Sequence, residues 1–198
     1  MSVVQKWWYD VFDLPGVYNS VRYLLLFGKR KMFMQIQQAV WQQEGESVLD
    51  IGCGTGELSA LFFGEYLGVD FSERYVQYAV RKYPEKQFVQ GNALQLPFPE
   101  KSYDTVLLAS FIHHFSDSDV RQILKSVQRI ARKKVVLLEP SPQKGNYLAW
   151  LLLKMDRGAY IRTPQQQGDL VCEYFVLENV TTFHSGFYKL SVLTALSK

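Results

Sequence analysis

The stretch VLDIGCGTGELS, residues 48–59, decides how the rest of the chain is read. Its apolar start belongs to a run from Ser47 to Ile51 that breaks at once into Gly52, Cys53, Gly54, Thr55 and Gly56. A short apolar run closed by glycines is the pattern of a buried parallel strand entering a tight turn. A helix is expected to restart at Glu57 and run to Phe63. Glycines between strand and helix let backbone approach a ligand closely and leave helix N–H groups facing it. The loop therefore predicts a nucleotide-like ligand. A glycine turn that only packs a helix against a sheet is spelled the same way, so the neighbouring segments have to decide.

Downstream, strand and helix patterns keep alternating. Tyr66 to Asp70 reads as a strand, Ser72 caps a helix that runs through Lys82, and Gln87 to Gln90 is a third strand. Tyr103 to Ser110 is a fourth, and Lys134 to Glu139 a fifth. Between those two, Ser116 to Arg132 is a helix with Val120, Ile123, Leu124, Val127, Ile130 and Ala131 on one face. The chain ends differently: Val180 to His184 and Tyr188 to Leu196 are joined by Ser185, Gly186 and Phe187, too short for a crossover helix, so an antiparallel hairpin is expected. Upstream, residues 2 to 43 carry helical patterning broken at Leu14, Pro15 and Gly16. The expected fold is α/β: a doubly wound, mostly parallel seven-stranded sheet with a C-terminal antiparallel hairpin and an N-terminal helical cap. It forms one domain, divided into a cap (1–44), a ligand-binding core (45–140), a site cover (141–170) and terminal strands (171–198).

The bulk numbers fit one globular core: 198 residues, 47% hydrophobic, 21% charged. A net charge of +3 with no long basic block beyond GKRK at 28–31 gives no reason to expect nucleic acid. The two cysteines, Cys53 and Cys172, have no metal-ligand spacing, which fits a reducing compartment. The longest apolar runs, Tyr23 to Phe27 and Tyr147 to Leu153, fall well short of the roughly 20 residues that span a bilayer. With no secretory pattern at the start, a cytoplasmic location is expected. Peripheral membrane contact stays open, because RYLLLFGKRK at 22–31 mixes basic and apolar residues as an interfacial helix does. Oligomeric state has no signature here.

Asp70 ends the second strand about 20 residues after the loop begins, where an acid can accept both ribose hydroxyls of a nucleotide. It could equally cap the next helix, a job Ser72 does as well. VLDIGCGTG at 48–56, LGVDFS at 67–72 and GNALQLPFPEKSYDTVLLASFIHHF at 91–115 together resemble the class I S-adenosylmethionine-dependent methyltransferases, in particular the small-molecule group that includes quinone-biosynthesis enzymes. The resemblance covers roughly residues 46 to 140 and implies a Rossmann-like sheet with S-adenosylmethionine as cofactor. It implies that Asp50 and Gly52, with the loop residues Cys53, Gly54 and Gly56, lie at the cofactor's methionine end. Asp70 takes the place of the ribose-binding acid, and Phe71 that of the apolar residue beside the adenine. Asn92 and Ala93 match the pair that meets the adenine, with Asn where the family more often has Asp. Ser110 matches a residue near the transferred methyl.

His113 and His114 follow the fourth strand at the carboxyl edge of the sheet, where ligands of open α/β folds gather, and are candidate general bases. In the resembled family a histidine at the position of His114 occurs in members with different substrates, which also fits a structural or cofactor-side role. Some quinone O-methyltransferases hold a divalent ion here, but Ser110 and His113 stand in place of the carboxylates, so no metal is expected. Aromatic residues make up 15% of the chain and crowd its start, which predicts a lipophilic or aromatic small-molecule acceptor. Tyr9, Tyr18 and Arg22, with Tyr160 and Arg162 from MDRGAYIRT at 155–163, are the candidate acceptor residues; cap-helix packing and surface charge are their plainer alternatives.

Two competing functions remain at this level. A nicotinamide-dependent oxidoreductase shares the strand, loop and acid but needs G-x-G-x-x-G, and Glu57 stands where its third glycine would be. A binding module that keeps the cofactor site without turnover would preserve the same loop and Asp70.

Overall fold

The computed structural model describes residues 29–41, 43–143 and 160–198. Seven strands form one sheet: β1 (Val48–Ile51), β2 (Tyr66–Asp70), β3 (Gln87–Gln90), β4 (Tyr103–Ala109), β5 (Ala131–Pro140), β6 (Phe175–Ser185) and β7 (Tyr188–Ser197). Their order across the sheet is β3-β2-β1-β4-β5-β7-β6. β1 to β5 pair in parallel, while β7 runs antiparallel to both β5 and β6. This is the doubly wound sheet closed by an antiparallel hairpin that the sequence predicts. The strand order reverses at β1, between β2 and β4, leaving a crevice at the carboxyl ends of the strands there.

Strand alternation divides the core into two layers. Leu49 and Ile51 of β1, Val106 and Leu108 of β4, and Val135 and Leu137 of β5 face helices α3 (Asp117–Ile130) and α4 (Pro164–Cys172). Val48, Leu107, Val136 and Leu138 face the other way, toward α1 (Arg30–Val40) and α2 (Glu73–Lys82). α3 buries Val120, Ile123, Leu124, Val127 and Ile130, each contributing about 1.5–3 kcal/mol of apolar burial. Ser116 caps its start by accepting the Asp119 amide at 3.3 Å.

Several boundaries differ from expectation. The helix expected over 57–63 is a single 3-10 turn, Glu57–Leu61, because only nine residues separate Gly56 from the start of β2. That is too few for a full helix with two connections. α3 stops at Ile130 rather than Arg132, since Ala131 is already extended (φ −70°, ψ 124°) and begins β5. β5 carries one extra residue opposite β4 between Ala131 and Lys134, and from this bulge Arg132 and Lys133 both reach the carboxylate of Asp104, at 2.8 and 3.5 Å. β6 starts at Phe175, five residues before the expected Val180, and passes a second bulge at Glu178. α4 begins with a capping box in which Thr163 and Gln166 bond reciprocally, with Pro164 in the first turn.

Most of the expected N-terminal cap lies outside the described residues. The part that is described, α1, packs Met32, Ile36 and Val40 into the sheet layer.

Candidate active site

A cavity of about 490 Å³ opens at the point where the strand order reverses, a size ordinary for small-molecule sites. Its floor is the loop after β1: Gly52, Cys53, Gly54 and Thr55, followed by Glu57 and Leu58. The loop is pinned to β2, with the amides of Gly52 and Cys53 donating to the carbonyl of Val69 at 2.7 and 3.1 Å. Gly52 and Gly54 have φ of +75° and +55°, a region that costs residues with a Cβ about 1–2 kcal/mol. A Cβ at Gly52 would come within 2.1 Å of the Phe111 ring, whereas one at Gly54 would meet nothing within 4 Å. The surface at Gly54 is therefore bare backbone facing open space.

Asp70, Phe71, Ser72 and Tyr75 form a second wall. One oxygen of Asp70 accepts the Gly54 amide at 2.8 Å and the other the Ser72 amide at 2.8 Å. The Phe71 backbone also bonds this carboxylate, and an ionised carboxylate with about four lone-pair directions keeps acceptor capacity beyond these three. Burial raises the Asp70 carboxyl above its ordinary value near 3.8, and the amides of Ser72 and Gly54 offset only part of that rise. Phe71 is 76% exposed, an apolar side chain held at the cavity rim. Asn92 and Ala93 close a third side; the Asn92 side-chain oxygen accepts the Leu94 amide at 3.0 Å, which fixes the turn after β3.

The fourth wall follows β4: Ser110, Phe111, His114 and Phe115. Ser110 sits at φ +54°, outside the region side chains prefer, and its amide donates to Leu138 at 2.6 Å. His114 lines the cavity, but His113 does not. His113 is 2% exposed, and its Nδ1 lies 2.6 Å from the carboxylate of Glu139 at the end of β5. The other oxygen of Glu139 accepts the amides of Phe111 and Ile112 at 2.8 and 2.7 Å.

The structure thus brings together Gly52, Cys53, Gly54, Asp70, Phe71, Asn92, Ala93, Ser110 and His114 from the sequence-based set. It places five others, Asp50, Gly56, His113, Tyr160 and Arg162, outside the cavity lining. Asp50 shares the strand parity of Val48, so its carboxylate points into the layer of α1 and α2, fully buried, and accepts the Tyr66 hydroxyl at 2.7 Å. Burial, reinforced by Asp50, pushes that phenol's pKa up. Gly56 faces packing rather than cavity, since a Cβ there would strike Phe88 and Ala79. His113 turns inward to Glu139. Arg162 is 6% exposed and is a structural tie: its guanidinium bonds Asp117 at 2.6 and 2.9 Å and the carbonyls of Ile112 and Phe115 at 3.0 and 2.8 Å. Tyr160 is 45% exposed and donates its amide to the carbonyl of His113 at 3.0 Å, with the Arg162 guanidinium over its ring. Tyr9, Tyr18 and Arg22 lie outside the described residues. Sequence reading missed Phe111, Glu139 and the cavity residues Thr55, Glu57 and Leu58 that follow β1. FIHHF at 111–115 carried a signal for Phe111, an aromatic directly after a strand end; Glu139 had only its place as the last acid of β5.

Residues 49–138 match the family described as methyltransferase domain. That match takes in the glycine loop and the acid at the end of β2, and spans 90 of the 198 residues. The chain is 29% identical over 141 residues to the demethylmenaquinone methyltransferase of Thermotoga maritima, an alignment covering 67% of this chain and 61% of that protein. An uncharacterized methyltransferase of Bacillus subtilis is 39% identical over 95 residues, covering 43% of this chain and 36% of its own length. The chain thus spans about three fifths of the length of the first curated relatives it matches. Among solved structures, magnesium protoporphyrin IX methyltransferase from Synechocystis with bound SAH superposes with a TM-score of 0.76 at 20% identity, covering 96% of this chain and 97% of that one. At that identity the likeness concerns the fold of the methyltransferase domain. Among the described residues, no helix is long and apolar enough to cross a membrane, and no group of three or more His, Cys, Asp or Glu is placed to hold a metal.

Proposed function

We propose that the domain binds S-adenosylmethionine in the cavity between the β1 loop and the β4 wall and transfers its methyl group to a small, aromatic or apolar acceptor. The observation that carries this reading is the Asp70 carboxylate, fixed by the Gly54 and Ser72 amides at the rim of a cavity floored by left-handed glycines. In this reading Asp70 accepts the ribose hydroxyls, Phe71 and Ala93 flank the adenine with Asn92 on its edge, and the bare backbone of the loop admits the methionine end close to the sheet. The donor supplies an already activated methyl on a sulfonium, so the protein's work is alignment and exclusion of water.

His114 is the side chain at the cavity suited to hold a proton if the acceptor is a phenol, alcohol or acidic carbon. An amine or sulfur acceptor needs positioning alone. The acceptor class rests on the aromatic wall of Phe111 and Phe115, whose rings lie 4.9 Å apart, and on the quinone named in the relatives' descriptions. Tyr9, Tyr18, Arg22 and Tyr160 are proposed to complete the acceptor side. The protein works in the cytoplasm on this reading, with peripheral membrane contact through residues 22–31 giving access to a lipophilic acceptor.

A screen of phenolic, quinol, amine and thiol acceptors with methyl-labelled S-adenosylmethionine tests the proposal. Labelled product from an aromatic hydroxyl or ring carbon is expected. Donor binding with no labelled product from any acceptor class would instead mark the domain as a binding module.

A further inference from the structure

The loop from Ser110 to Asp117, which supplies the fourth wall of the cavity, is held from two sides by opposite charges. On one side the buried Glu139 carboxylate accepts the consecutive amides of Phe111 and Ile112 and meets Nδ1 of His113. On the other, the guanidinium of Arg162 donates to the carbonyls of Ile112 and Phe115 and to the carboxylate of Asp117. The carboxylate thus collects the loop's N–H groups and the guanidinium its C=O groups. Each buried charge has a full set of partners, which is what makes burial tolerable. The two side chains come from opposite ends of the stretch that leaves β5 and returns as α4, and both are nearly inaccessible at 1% and 6% exposure.

A second observation shows what the clamp holds. Ser110 is kept at φ +54° without being a glycine, and such a conformation persists only where its surroundings over-determine it. The next residue, Phe111, lays its ring over Gly52, filling the space a Cβ would need. The position of the β4 wall against the glycine floor therefore follows from where Glu139 and Arg162 hold the loop.

We propose that Glu139 and Arg162 act as a pair of positioning residues that set the β4 wall against the glycine floor and thereby set the affinity of the cavity for the methyl donor. This rests on the donor site proposed above. Neither residue touches the cavity; both act through Phe111, Ile112 and Phe115. His113 is part of the same device, and its imidazole serves to orient the loop beside His114.

The test uses the full chain with Glu139→Gln and Arg162→Lys, which keep size or charge but lose part of the bonding, and Leu170→Ala, a buried deletion in α4 outside the clamp. S-adenosylhomocysteine affinity is measured by calorimetry, and exchange of the Phe111 and Ile112 amides by NMR. Both clamp variants are expected to weaken S-adenosylhomocysteine roughly tenfold, the effect of losing a hydrogen bond to a charged group, and to speed exchange at those two amides. Leu170→Ala should lower the melting temperature while leaving affinity within about twofold and those amides protected. Unchanged affinity in both folded clamp variants, or an equal loss in Leu170→Ala, would overturn the proposal. Should Glu139→Gln fail to fold, Arg162→Lys decides alone. If the native chain itself does not bind S-adenosylhomocysteine, the donor assignment fails; amide exchange then still decides the clamp, faster exchange supporting it and unchanged exchange refuting it.

Discussion

The carboxylate of Asp70 accepts the amide of Gly54 at 2.8 Å across 16 residues of chain, so the acid that ends β2 also fixes the middle glycine of the loop that follows β1. One side chain sets the floor of the cavity and presents free lone pairs above it. The same residue is thus both scaffold and proposed ligand.

This double duty has a pH signature. Burial raises the Asp70 carboxyl above 3.8 in the folded chain. A raised carboxyl takes up its proton at higher pH in the folded than in the unfolded state. Its own contribution to stability therefore improves as pH falls through that window, whereas ribose hydroxyls are accepted more strongly by the ionised form. Donor affinity is expected to fall on acidification, beginning above the ordinary aspartate range. Asp70→Ala should remove that pH dependence and lower affinity at neutral pH by about 1–3 kcal/mol. Titrations with S-adenosylhomocysteine at stepped pH check both; identical affinity in Asp70→Ala would place the ribose elsewhere.

Gly54 and Gly52 separate ligand space from packing space. Gly54→Ala adds a Cβ where nothing lies within 4 Å, so its stability cost is confined to the left-handed backbone, about 1–2 kcal/mol. Gly52→Ala adds a clash with Phe111 worth about 1–3 kcal/mol more. Urea unfolding should rank Gly52→Ala as the less stable. Gly54→Ala should remain folded yet bind the donor weakly; full affinity in that variant would show that the bare backbone is not the ligand's seat.

Asp104 anchors the far end of the sheet. It accepts the amide and hydroxyl of Ser47, each at 3.1 Å, and pairs with Arg132 at 2.8 Å. Burial works against its ionised form, but the Ser47 bonds and Arg132 outweigh that and leave its pKa lowered from 3.8. A depressed carboxyl lends stability above its unfolded pKa and loses it as pH falls through the folded one. Asp104→Ala is expected to cost about 1–3 kcal/mol at neutral pH, with the gap from the native chain closing in acid. A constant gap down to pH 2 would contradict the assigned role.

The adjacent histidines should behave differently. His114→Ala removes a cavity side chain and should change turnover with little change in melting temperature. His113→Ala leaves the buried Glu139 carboxylate without its imidazole partner and should lower the melting temperature by several degrees. Equal thermal effects, or turnover sensitive only to His113, would reverse the assignment.

How legible the site was in the sequence follows from the range of each interaction. β1, its glycine loop and Asp70 declare themselves through apolar runs, turn residues and spacing, all local signals; His114 follows from its place after a strand end, and Asn92 and Ser110 from the family resemblance alone. Glu139 and His113 meet across 26 residues, and Arg162 and Asp117 across 45. No local pattern marks such pairs, so Arg162 reads as a surface or acceptor residue and His113 as a base. Asp50 stands beside the glycines in sequence, and its carboxylate accepts the Tyr66 hydroxyl across 16 residues, a partner that no local pattern marks. The short 3-10 turn after the loop was countable from the nine residues available, whereas helix propensity alone suggests a longer element.

The most direct test of the account is calorimetric titration of the native chain with S-adenosylhomocysteine and, separately, with NADH. A saturable one-to-one isotherm with S-adenosylhomocysteine, lost in Asp70→Ala, and no heat from NADH is the predicted result. Binding of NADH without S-adenosylhomocysteine would contradict it, and would mean that the loop after β1 and the acid after β2 serve a dinucleotide.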